Sequence, residues 1–507
     1  MPNHDQPVET EIKLRLPAAA FDTLSHHALM ENATPDQRHE ITTYFDTPDL
    51  DLARHGFHLR IRRSGTHRLQ TLKTADGHAV AKQRGEWEQP VETDTPDLAI
   101  LADTPAAAAL RDIGAERLQP AFTTDIHRTA RLLHGEGDAT IEAAFDRGVI
   151  IAGNRSEPVS ELELELKQGD VAALYQLAVA LAAAAPMTLE PASKAERGLR
   201  LRSGVPPTAV KADDVAFAAD LPASAAFAAI IRAILRHIIT NLAPARFGDV
   251  GGLHQLRVAI RRMRAALRLF RPLLHQQAAD RFDTELRRVG QVFGAVRDWD
   301  VFLHETIPAA EANAAERPWF ELLRTQSEIR RSTARQDLLS ELDGPGFTGL
   351  ILGLAGWSED GERDPAVLGD DRLRHPMSDL APGLMEPMSR KVAKRGRRLD
   401  AASREALHAL RKAIKRLRYG LEFIAPLYPH RRVKPAVDAC KTLQELLGQV
   451  NDAAVTPELA ARLVDGRPEL LPGVAALASW AEQRGRKAHR RVPKAWRRLQ
   501  HADGFWN

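Results

Sequence analysis

The spacing of apolar residues changes once along this chain of 507 residues. From Val8 to about Leu201, short segments such as VETEIKLRL and VSELELELKQGD alternate apolar and polar residues, which predicts antiparallel strands with one buried face. Beyond Ser224, segments such as LHQLRVAIRRMRAALRLF carry apolar residues at the helical period, so the second half is predicted to be all-helical. The expected fold class is therefore α+β and multidomain.

The region between the two patterns predicts a domain boundary. A chain of this length with 44% apolar residues is too long for one compact core. Residues 203–221 are rich in Pro, Ala and Asp, which is typical of a linker, so we expect domains at residues 1–202 and 222–507. A Gly-, Asp- and Pro-rich segment from Leu342 to Pro376 interrupts the helical spacing and predicts a long connection within the second domain.

The charges are unevenly distributed, although the net charge is only +3. Acidic pairs and triplets lie in the first part of the chain and arginine-dense runs fill the second half, which favours a polyanion partner for the basic part. The single cysteine, Cys440, excludes an intramolecular disulfide, and the first residues lack the pattern of a secretory signal. No apolar run is long enough to cross a bilayer, the best being Val171 to Ala185. We therefore expect a cytoplasmic protein without a membrane partner.

Charged residues share one face of the predicted strands. In SELELELK the glutamates alternate with leucines, so if the leucines pack outward against helices, the glutamates point into a barrel interior. An unpaired buried charge costs on the order of several kcal/mol, so this interior requires pairing or a charged ligand. Carboxylates suit Mg²⁺ or Mn²⁺, and Arg and Lys suit a phosphate chain, which together give a layout for phosphoryl transfer. The inward residues are Glu9, Glu11, Lys13, Arg60, Arg62, Lys73, Arg84, Glu86, Glu88, Glu161, Glu163, Glu165 and Lys194.

The same segments resemble the CYTH family of triphosphate tunnel metalloenzymes over roughly residues 8–202. The ExExK motif occurs at Glu9 to Lys13, and YFDT, LRIR, TLK, RxEWE, FDRG, ELELEL and SKxxRG follow in the family's order. The resemblance implies an eight-stranded antiparallel β tunnel with flanking helices that binds a linear triphosphate and Mg²⁺ or Mn²⁺.

The resemblance also implies roles for individual residues. The implied metal ligands are Glu9, Glu11, Glu163 and Glu165, with Glu161 as a further contributor. The implied substrate-binding residues are Lys13, Arg60, Arg62, Lys73, Arg84, Arg128, Lys194 and Arg197. Glu11 or Glu163 is expected to be the catalytic carboxylate nearest the attacking water. Asp46 in YFDT is better explained by a turn, because Asp-Thr-Pro-Asp is a good turn sequence.

The helical half contains an internal duplication. HQLRVAIRRMRAALRLFRPL from His254 aligns with HALRKAIKRLRYGLEFIAPL from His408, and FGAVRD and LGQVND follow in the same register. We interpret this as two helical repeats, at about residues 222–345 and 377–500. At 100° per residue, the cations that follow each histidine form a stripe opposite the apolar face. The stripe residues are His254, Arg257, Arg261, Arg264 and Arg268 in the first copy and His408, Arg411, Lys415 and Arg418 in the second.

These blocks resemble the CHAD domain, a conserved-histidine α-helical domain, over roughly residues 222–500. The resemblance implies that the basic helices face a groove that binds inorganic polyphosphate. Three positions of the second copy depart from the first, so we expect weaker binding there: Asn451, Ala454 and Glu422 replace Arg297, Asp300 and Arg268. A specific nucleic-acid partner is disfavoured, because aromatic residues make up only 5% of the chain and do not interleave with the basic stripes.

The two resemblances together predict a metal-dependent inorganic triphosphatase. It would hydrolyse tripolyphosphate to diphosphate and phosphate. Its helical domain would bind long-chain polyphosphate, and the protein would associate with polyphosphate granules. Two alternatives stay open. The same fold also serves nucleoside or thiamine triphosphatases and adenylate cyclases, which the tunnel motifs do not separate. The second alternative is a non-enzymatic scaffold that binds polyphosphate. The intact sets of carboxylates and bases argue against it.

Overall fold

The computed structural model describes residues 8–31, 33–74, 79–135, 138–313, 319–397, 399, 403–464, 466–502, 504 and 506, and at positions 82–84, 100 and 115 it describes the backbone alone. The predicted fold class is confirmed, since an antiparallel sheet forms the N-terminal part and helices alone form the C-terminal part. The chain divides into two compact units. The first comprises Met1–Ala209, Ile239–Gly252 and Leu342–Glu359, and the second comprises Val210–Ile238, Leu253–Glu341 and Asp360–Asn507. The boundaries of the domains stay a prediction.

Nine antiparallel strands form the sheet within the described residues. Their order is β5-β4-β3-β2-β6-β7-β8-β1-β9, and β1 also pairs with β5, so the first eight strands close into a barrel. The barrel therefore has the predicted eight strands, and the two-residue strand β9 pairs with β1 as a ninth. The strands are β1 Val8–Arg15, β2 Asp36–Asp46, β3 Phe57–Ser64, β4 His67–Thr74, β5 Lys82–Pro90, β6 Gln119–His134, β7 Thr140–Ala152, β8 Arg155–Gln168 and β9 Thr188–Leu189.

The alternation in β8 sorts its side chains as predicted. Leu162 and Leu164 are fully buried outside the barrel wall, where helix α5 packs on β8 and β1, while Glu163 and Glu165 face the interior. Burying each leucine stabilises this arrangement by about 1.5–3 kcal/mol. The helices of this part are α1 Ala18–Ser25, α2 Ala28–Glu31, α3 Asp51–Arg54, α4 Ala107–Ile113, α5 Val171–Ala184 and α6 Lys194–Ser203.

Helix α6 is delimited by strong local signals. Its first turn carries a capping box, in which the Ser193 hydroxyl accepts from the Glu196 N–H and the Glu196 carboxylate accepts from the Ser193 N–H. Its last turn ends at Gly204, whose φ of +67° is the left-handed conformation that glycine tolerates best. The helix therefore starts at a fixed point, with Lys194 as its first residue.

The C-terminal part contains eleven α-helices among its described residues. Helices α8 and α14, which carry the two histidine blocks, are each 21 residues long, and α9 and α15 follow them, in line with the duplication. A five-residue π-helix, Phe302–Thr306, directly follows α9. The helices are α7 Ala223–Phe247, α8 Val250–Phe270, α9 Gln276–Val301, α10 Ile307–Glu311, α11 Phe320–Asp343, α12 Pro345–Arg363, α13 Met377–Gly396, α14 Arg404–Ile424, α15 His430–Ala461, α16 Leu471–His489 and α17 Val492–Ala502.

Two sequence-based expectations are wrong for this part. The segment from Leu342 to Pro376 is not a structureless connection, because α12 occupies most of it and buries Phe347, Ile351 and Leu354. Its glycines obscure the helical spacing of these apolar residues.

The expectation that no apolar run could cross a bilayer is also wrong when helices are judged by length and composition alone. Within the described residues, α7 meets that criterion, although 72% of its most apolar 18-residue window is buried inside the protein, and buried core helices of other proteins meet it as well.

Candidate functional site

The barrel encloses a cavity of about 270 Å³ whose wall is mainly charged. Ten of the thirteen tunnel residues implied by the family resemblance line it: Glu9, Glu11, Lys13, Arg60, Arg62, Lys73, Arg128, Glu163, Glu165 and Lys194. The side chain of Arg84 lies outside the described ones, although its backbone pairs with Glu9 in the β1–β5 ladder. Glu161 and Arg197 are not part of the described lining.

Acidic and basic side chains pair across the cavity. The Lys73 ammonium lies 2.8 Å from a carboxylate oxygen of Glu9 and 2.8 Å from one of Glu86. The Lys13 ammonium lies 2.8 Å from the Glu11 carboxylate and also contacts Glu163. These buried charges are therefore compensated by one another, which lowers the desolvation cost of keeping them inside the barrel.

Part of the cavity wall is crowded with carboxylates. Burial raises the pKa of Glu86, and the neighbouring Glu9 raises it further. Burial likewise raises the pKa of Glu165, with contributions from Glu9 and Glu142. Carboxylates that raise one another's pKa repel unless a cation lies between them, and carboxylate oxygens are hard donors. The residues present therefore fit a divalent ion such as Mg²⁺ or Mn²⁺.

A second group of carboxylates in the barrel shares one lysine. One carboxylate oxygen each of Asp146, Glu161 and Glu163 lies within 4.8 Å of the others. The Lys194 ammonium lies 2.7 Å from Asp146 and 2.9 Å from Glu163, and it also contacts Glu161. Burial alone lowers the pKa of Lys194, but these three carboxylates raise it well above its ordinary value. Lys194 therefore serves as the cation of this group.

Glu163 connects this group to the rest of the cavity. Burial alone raises its pKa, yet Lys13, Lys194 and Arg128 hold the pKa well below its ordinary value. Arg128 also donates to both oxygens of Asp146, at 2.7 and 2.6 Å. Glu163 is therefore a carboxylate at neutral pH.

Arg197 and Glu161 form a buried ion pair next to the cavity. The Arg197 side chain is only 2% exposed and donates to Glu157 at 2.7 Å, to Glu161 at 2.9 Å and to the Pro158 carbonyl at 2.8 Å. The oxygens of Glu161 are bound by Arg197 and Lys194. This geometry ties α6 to β8 and keeps both residues out of the described cavity lining.

Arginines gather on another part of the wall. Arg60 is 3.6 Å from Glu86, and Arg62 is 3.5 Å from Glu40, so both ion pairs are loose. Burial lowers the pKa of Arg62, and the nearby Arg60 lowers it further. Cations that repel one another at a buried wall form a surface to which an anion binds favourably.

Several lining residues are absent from the set that the sequence suggests. Asp146 lies in the FDRG motif, and it shares its strand face with Glu142, which also lines the cavity. Glu40 and Tyr44 share the inner face of β2. The period of two in β2 and β7 is the signal that could have identified all four.

Asp46 is a turn residue, as expected. Its carboxylate accepts hydrogen bonds from the backbone N–H groups of Thr47, Leu52 and Ala53, at 2.7, 2.8 and 3.0 Å. It is absent from the described cavity lining.

A pocket of about 270 Å³ lies in the second compact unit. It brings together His254, Arg257 and Arg261 of α8 with Arg411 of α14, all four from the predicted stripes. The residues outside the stripes that line it include the cations Arg297 and Arg484, the aromatic Trp480 and the acids Asp298, Glu305 and Asp452. The cations of the two repeats therefore meet in one pocket.

The pocket concentrates positive charge. Burial lowers the pKa of His254 to about 4, with the largest further contribution from Arg297. Lys415 is not in the described lining, but burial lowers its pKa to about 7, assisted by Arg411, Arg261, Arg257 and Arg418. The buried Nε atoms of Arg261 and Arg411, which both line the pocket, have no hydrogen-bond partner within the described part of the chain. Unsatisfied donors and mutually repelling cations favour a bound anion.

Four other stripe residues have partners within the protein. Arg264 and Arg268 both bind Asp283 of α9, with closest distances of 2.8 and 3.1 Å. His408 lies 2.6 Å from the Asn451 side-chain oxygen, and Arg418 lies 3.3 Å from Glu422. The structure does not bring these residues into the described pocket lining, and Asn451 and Glu422 are two of the positions at which the repeats differ.

The family models match both parts of the chain. A CYTH domain matches residues 8–199, and a CHAD domain matches residues 229–461. The inorganic triphosphatase of Haemophilus influenzae is 35% identical over 201 residues, which is 39% of this chain and 53% of that protein. The chain thus spans about half the length of this curated relative.

Two further comparisons include the helical part. An uncharacterized protein of Mycobacterium tuberculosis is 26% identical over 454 residues, covering 82% of this chain and 80% of that protein. The crystal structure of the CHAD domain from the plant Ricinus communis has a TM-score of 0.50 and 28% identity, and the match covers 58% of this chain and 96% of that one. The chain therefore combines a CYTH domain at residues 8–199 with a CHAD domain at residues 229–461.

Proposed function

We propose that the CYTH domain is a metal-dependent hydrolase that cleaves tripolyphosphate to diphosphate and phosphate. The observation that carries this proposal is the barrel cavity, where buried carboxylates face buried arginines and lysines. The relative from Haemophilus influenzae, which is an inorganic triphosphatase by name, supports the class of substrate. The cavity of about 270 Å³ suits a short linear polyanion, and its walls are mainly polar rather than apolar.

Four of the cavity carboxylates would bind the metal ion. Glu9, Glu11, Glu163 and Glu165 would hold Mg²⁺ or Mn²⁺, with Glu161 bound instead by Lys194 and Arg197. When bound, the ion supplies Lewis acidity that polarises a phosphoryl oxygen. Glu163 is strongly stabilised as a carboxylate by Lys13, Lys194 and Arg128, which makes it a weak base. We therefore favour Glu11 over Glu163 for orienting the attacking water.

The cations bind and orient the phosphate chain. Arg60, Arg62 and Arg128 have planar guanidinium groups that suit two-point contact with phosphoryl oxygens, while Lys13 and Lys73 act as point charges. The pairs Lys73–Glu9 and Lys13–Glu11 would exchange partners when substrate binds, because phosphate oxygens compete for the ammonium groups. The terminal phosphoryl group would thereby be fixed for in-line attack by water.

The CHAD pocket would bind long-chain polyphosphate as part of the same proposal. Its support is the convergence of Arg257, Arg261 and Arg411 with His254 in one pocket. A flexible chain with about one charge per phosphate can satisfy such donors without base recognition. We place this activity in the cytoplasm, at polyphosphate granules, where the CHAD domain would hold the hydrolase near its substrate.

Loss of two cavity carboxylates tests the catalytic part. In the presence of Mg²⁺ or Mn²⁺, the Glu9→Gln/Glu11→Gln variant is expected to have a kcat/KM for tripolyphosphate at least about a hundredfold lower than the wild type. The reason is that these carboxylates would hold the metal ion that stabilises negative charge in the transition state. The matched control is Glu92→Gln/Glu116→Gln, which removes two exposed carboxylates and leaves the rate unchanged. Equal rates in the two double variants, measured by phosphate release, would contradict the proposal.

A further inference from the structure

Three metal-ligating side chains meet on the outer face of the barrel. His39 lies on β2, and Asp125 and His127 lie on β6. Their sequence neighbours Arg38, Ile126 and Arg128 line the cavity, so alternation places the three on the opposite face. We propose that His39, Asp125 and His127 bind a divalent transition-metal ion of borderline softness, for which Zn²⁺ is the reference, at a site separate from the cavity.

The sheet places these ligands close together. His39 and His127 are direct cross-strand partners, and their rings stack with centroids 4.4 Å apart and planes inclined by 9°. An Asp125 carboxylate oxygen lies 2.7 Å from His39 Nε2. One ligand atom from each residue lies within 4.8 Å of the other two. Tetrahedral Zn²⁺ with bonds of about 2.1 Å needs ligand atoms about 3.4 Å apart, which small side-chain rotations provide.

The donor set selects the class of ion. Imidazole nitrogen favours Zn²⁺, Cu²⁺ or Ni²⁺, whereas Mg²⁺ prefers oxygen ligands alone. The carboxylate offsets part of the metal charge, and the positions left over would hold water or another small ligand. His39 and Asp125 have side chains that are 49% and 46% exposed, so ions reach the site from solvent. The site is therefore chemically distinct from the carboxylate-lined cavity.

The cation that pairs with His127 on β7 is engaged elsewhere. Arg147 of β7 lies directly opposite His127 in the ladder. Its guanidinium stacks over the Phe21 ring at 4.0 Å from the centroid and lies 3.5 Å from Asp22, both on α1. The backbone of two paired strands also fixes the histidines, so little conformational entropy is lost when an ion binds.

Zinc titration of the full-length protein tests the site. Isothermal titration calorimetry is carried out in excess Mg²⁺, so that hard-oxygen sites are occupied. The wild-type protein is expected to bind one more equivalent of Zn²⁺ than the His39→Ala/His127→Ala variant. The Asp125→Asn variant is expected to bind this additional ion about tenfold more weakly. The control His67→Ala, which removes an exposed histidine on β4, is expected to bind the additional ion as the wild type does. Identical zinc stoichiometry and affinity in the wild type and the double variant would overturn the proposal.

Electron paramagnetic resonance with Cu²⁺ identifies the ligands. We expect nitrogen hyperfine coupling from two imidazoles in the wild type, and loss of that signal in the double variant. The same spectrum in both proteins would overturn the proposal.

All substituted side chains are at the surface or half-buried, and circular dichroism verifies that the variants are folded. Unchanged phosphate release by the double variant would show that this site is independent of the cavity, so its failure and that of the proposed function are distinguishable.

Discussion

At the scale of single residues, the balance between buried acids and bases governs the barrel interior. Lys194 illustrates this balance, because one ammonium group serves Asp146, Glu161 and Glu163 together. Removing one partner of a buried ionic group leaves the remaining charge uncompensated, which costs more than the pair itself contributes.

The Lys194→Met variant tests the role of this lysine. Three buried carboxylates would lose their common cation, so we expect the free energy of unfolding of the barrel to fall by about 3–5 kcal/mol. The matched control is Lys167→Met, whose side chain is 40% exposed and whose loss is expected to cost less than about 0.5 kcal/mol. Native-state amide exchange of β7 and β8 measures both. A loss in Lys194→Met no greater than that in Lys167→Met would refute the assignment.

Lys415 is not in the described pocket lining, but it interacts with the lining residues Arg257, Arg261 and Arg411, so we expect it to make the proposed polyphosphate binding depend on pH. Its pKa of about 7 means that it is charged below pH 7 and neutral above it. A bound polyanion stabilises the charged form, so binding above pH 7 takes up a proton, and affinity is expected to fall by up to about tenfold per pH unit. His254, with a pKa of about 4, stays neutral across this range.

The conservative variant Lys415→Arg isolates this effect. Arginine keeps its charge, so its polyphosphate affinity at constant ionic strength should be far less sensitive to pH above 7 than that of the wild type. Fluorescence anisotropy with labelled polyphosphate measures both proteins on either side of pH 7. Parallel pH profiles would show that another group controls the dependence.

At the scale of secondary-structure elements, the barrel depends on close approach of paired strands. A Cβ atom added at Gly148 of β7 would lie 1.9 Å from the Asp125 carbonyl oxygen of β6. That oxygen belongs to the backbone of a paired strand and cannot move aside cheaply. The glycine of the FDRG motif is therefore required by the packing of two backbones.

The Gly148→Ala variant should consequently disrupt the β6–β7 ladder. We expect a loss of at least about 3 kcal/mol, or failure to fold. The control is Gly349→Ala in α12, where the added Cβ meets no described atom within 4 Å beyond its chain neighbours and its own helix backbone, and alanine favours the helix by up to about 1 kcal/mol. Thermal unfolding compares the two, and similar Tm values for them would contradict this explanation.

The sequence predicts elements well where one face is apolar and the other is not. In β8, buried leucines alternate with charged residues, so both the strand and its inner face are predictable. In β2 and β6 the alternation is less clear, because His39, Asp125 and His127 on the face outside the barrel are polar as well. Glu161 shows a further limit: alternation gives its face, but only the packing of Arg197 from α6 keeps it out of the described cavity lining.

At the scale of the whole molecule, two chemically similar surfaces occur in one chain. The barrel cavity combines carboxylates with cations, whereas the cations of the helical pocket outnumber its acids. The first arrangement suits metal-assisted cleavage of a short phosphate chain, and the second suits retention of a longer one. The duplication predicts that the two repeats share a basic surface. It also marks Arg297 as a position where the repeats differ, but it does not predict Trp480 as a pocket residue, because the convergence of these side chains depends on how α9 and α16 pack with α8.

The most direct test of the central claim is ³¹P NMR of tripolyphosphate hydrolysis by the full-length protein, with ATP and thiamine triphosphate in parallel. We predict that tripolyphosphate is cleaved fastest, that phosphate and diphosphate form in equal amounts, and that cleavage requires Mg²⁺ or Mn²⁺ and stops on chelation. Preferential cleavage of ATP or thiamine triphosphate would contradict the proposed substrate. No cleavage of any of the three with either metal would contradict the proposal that the cavity is an active site.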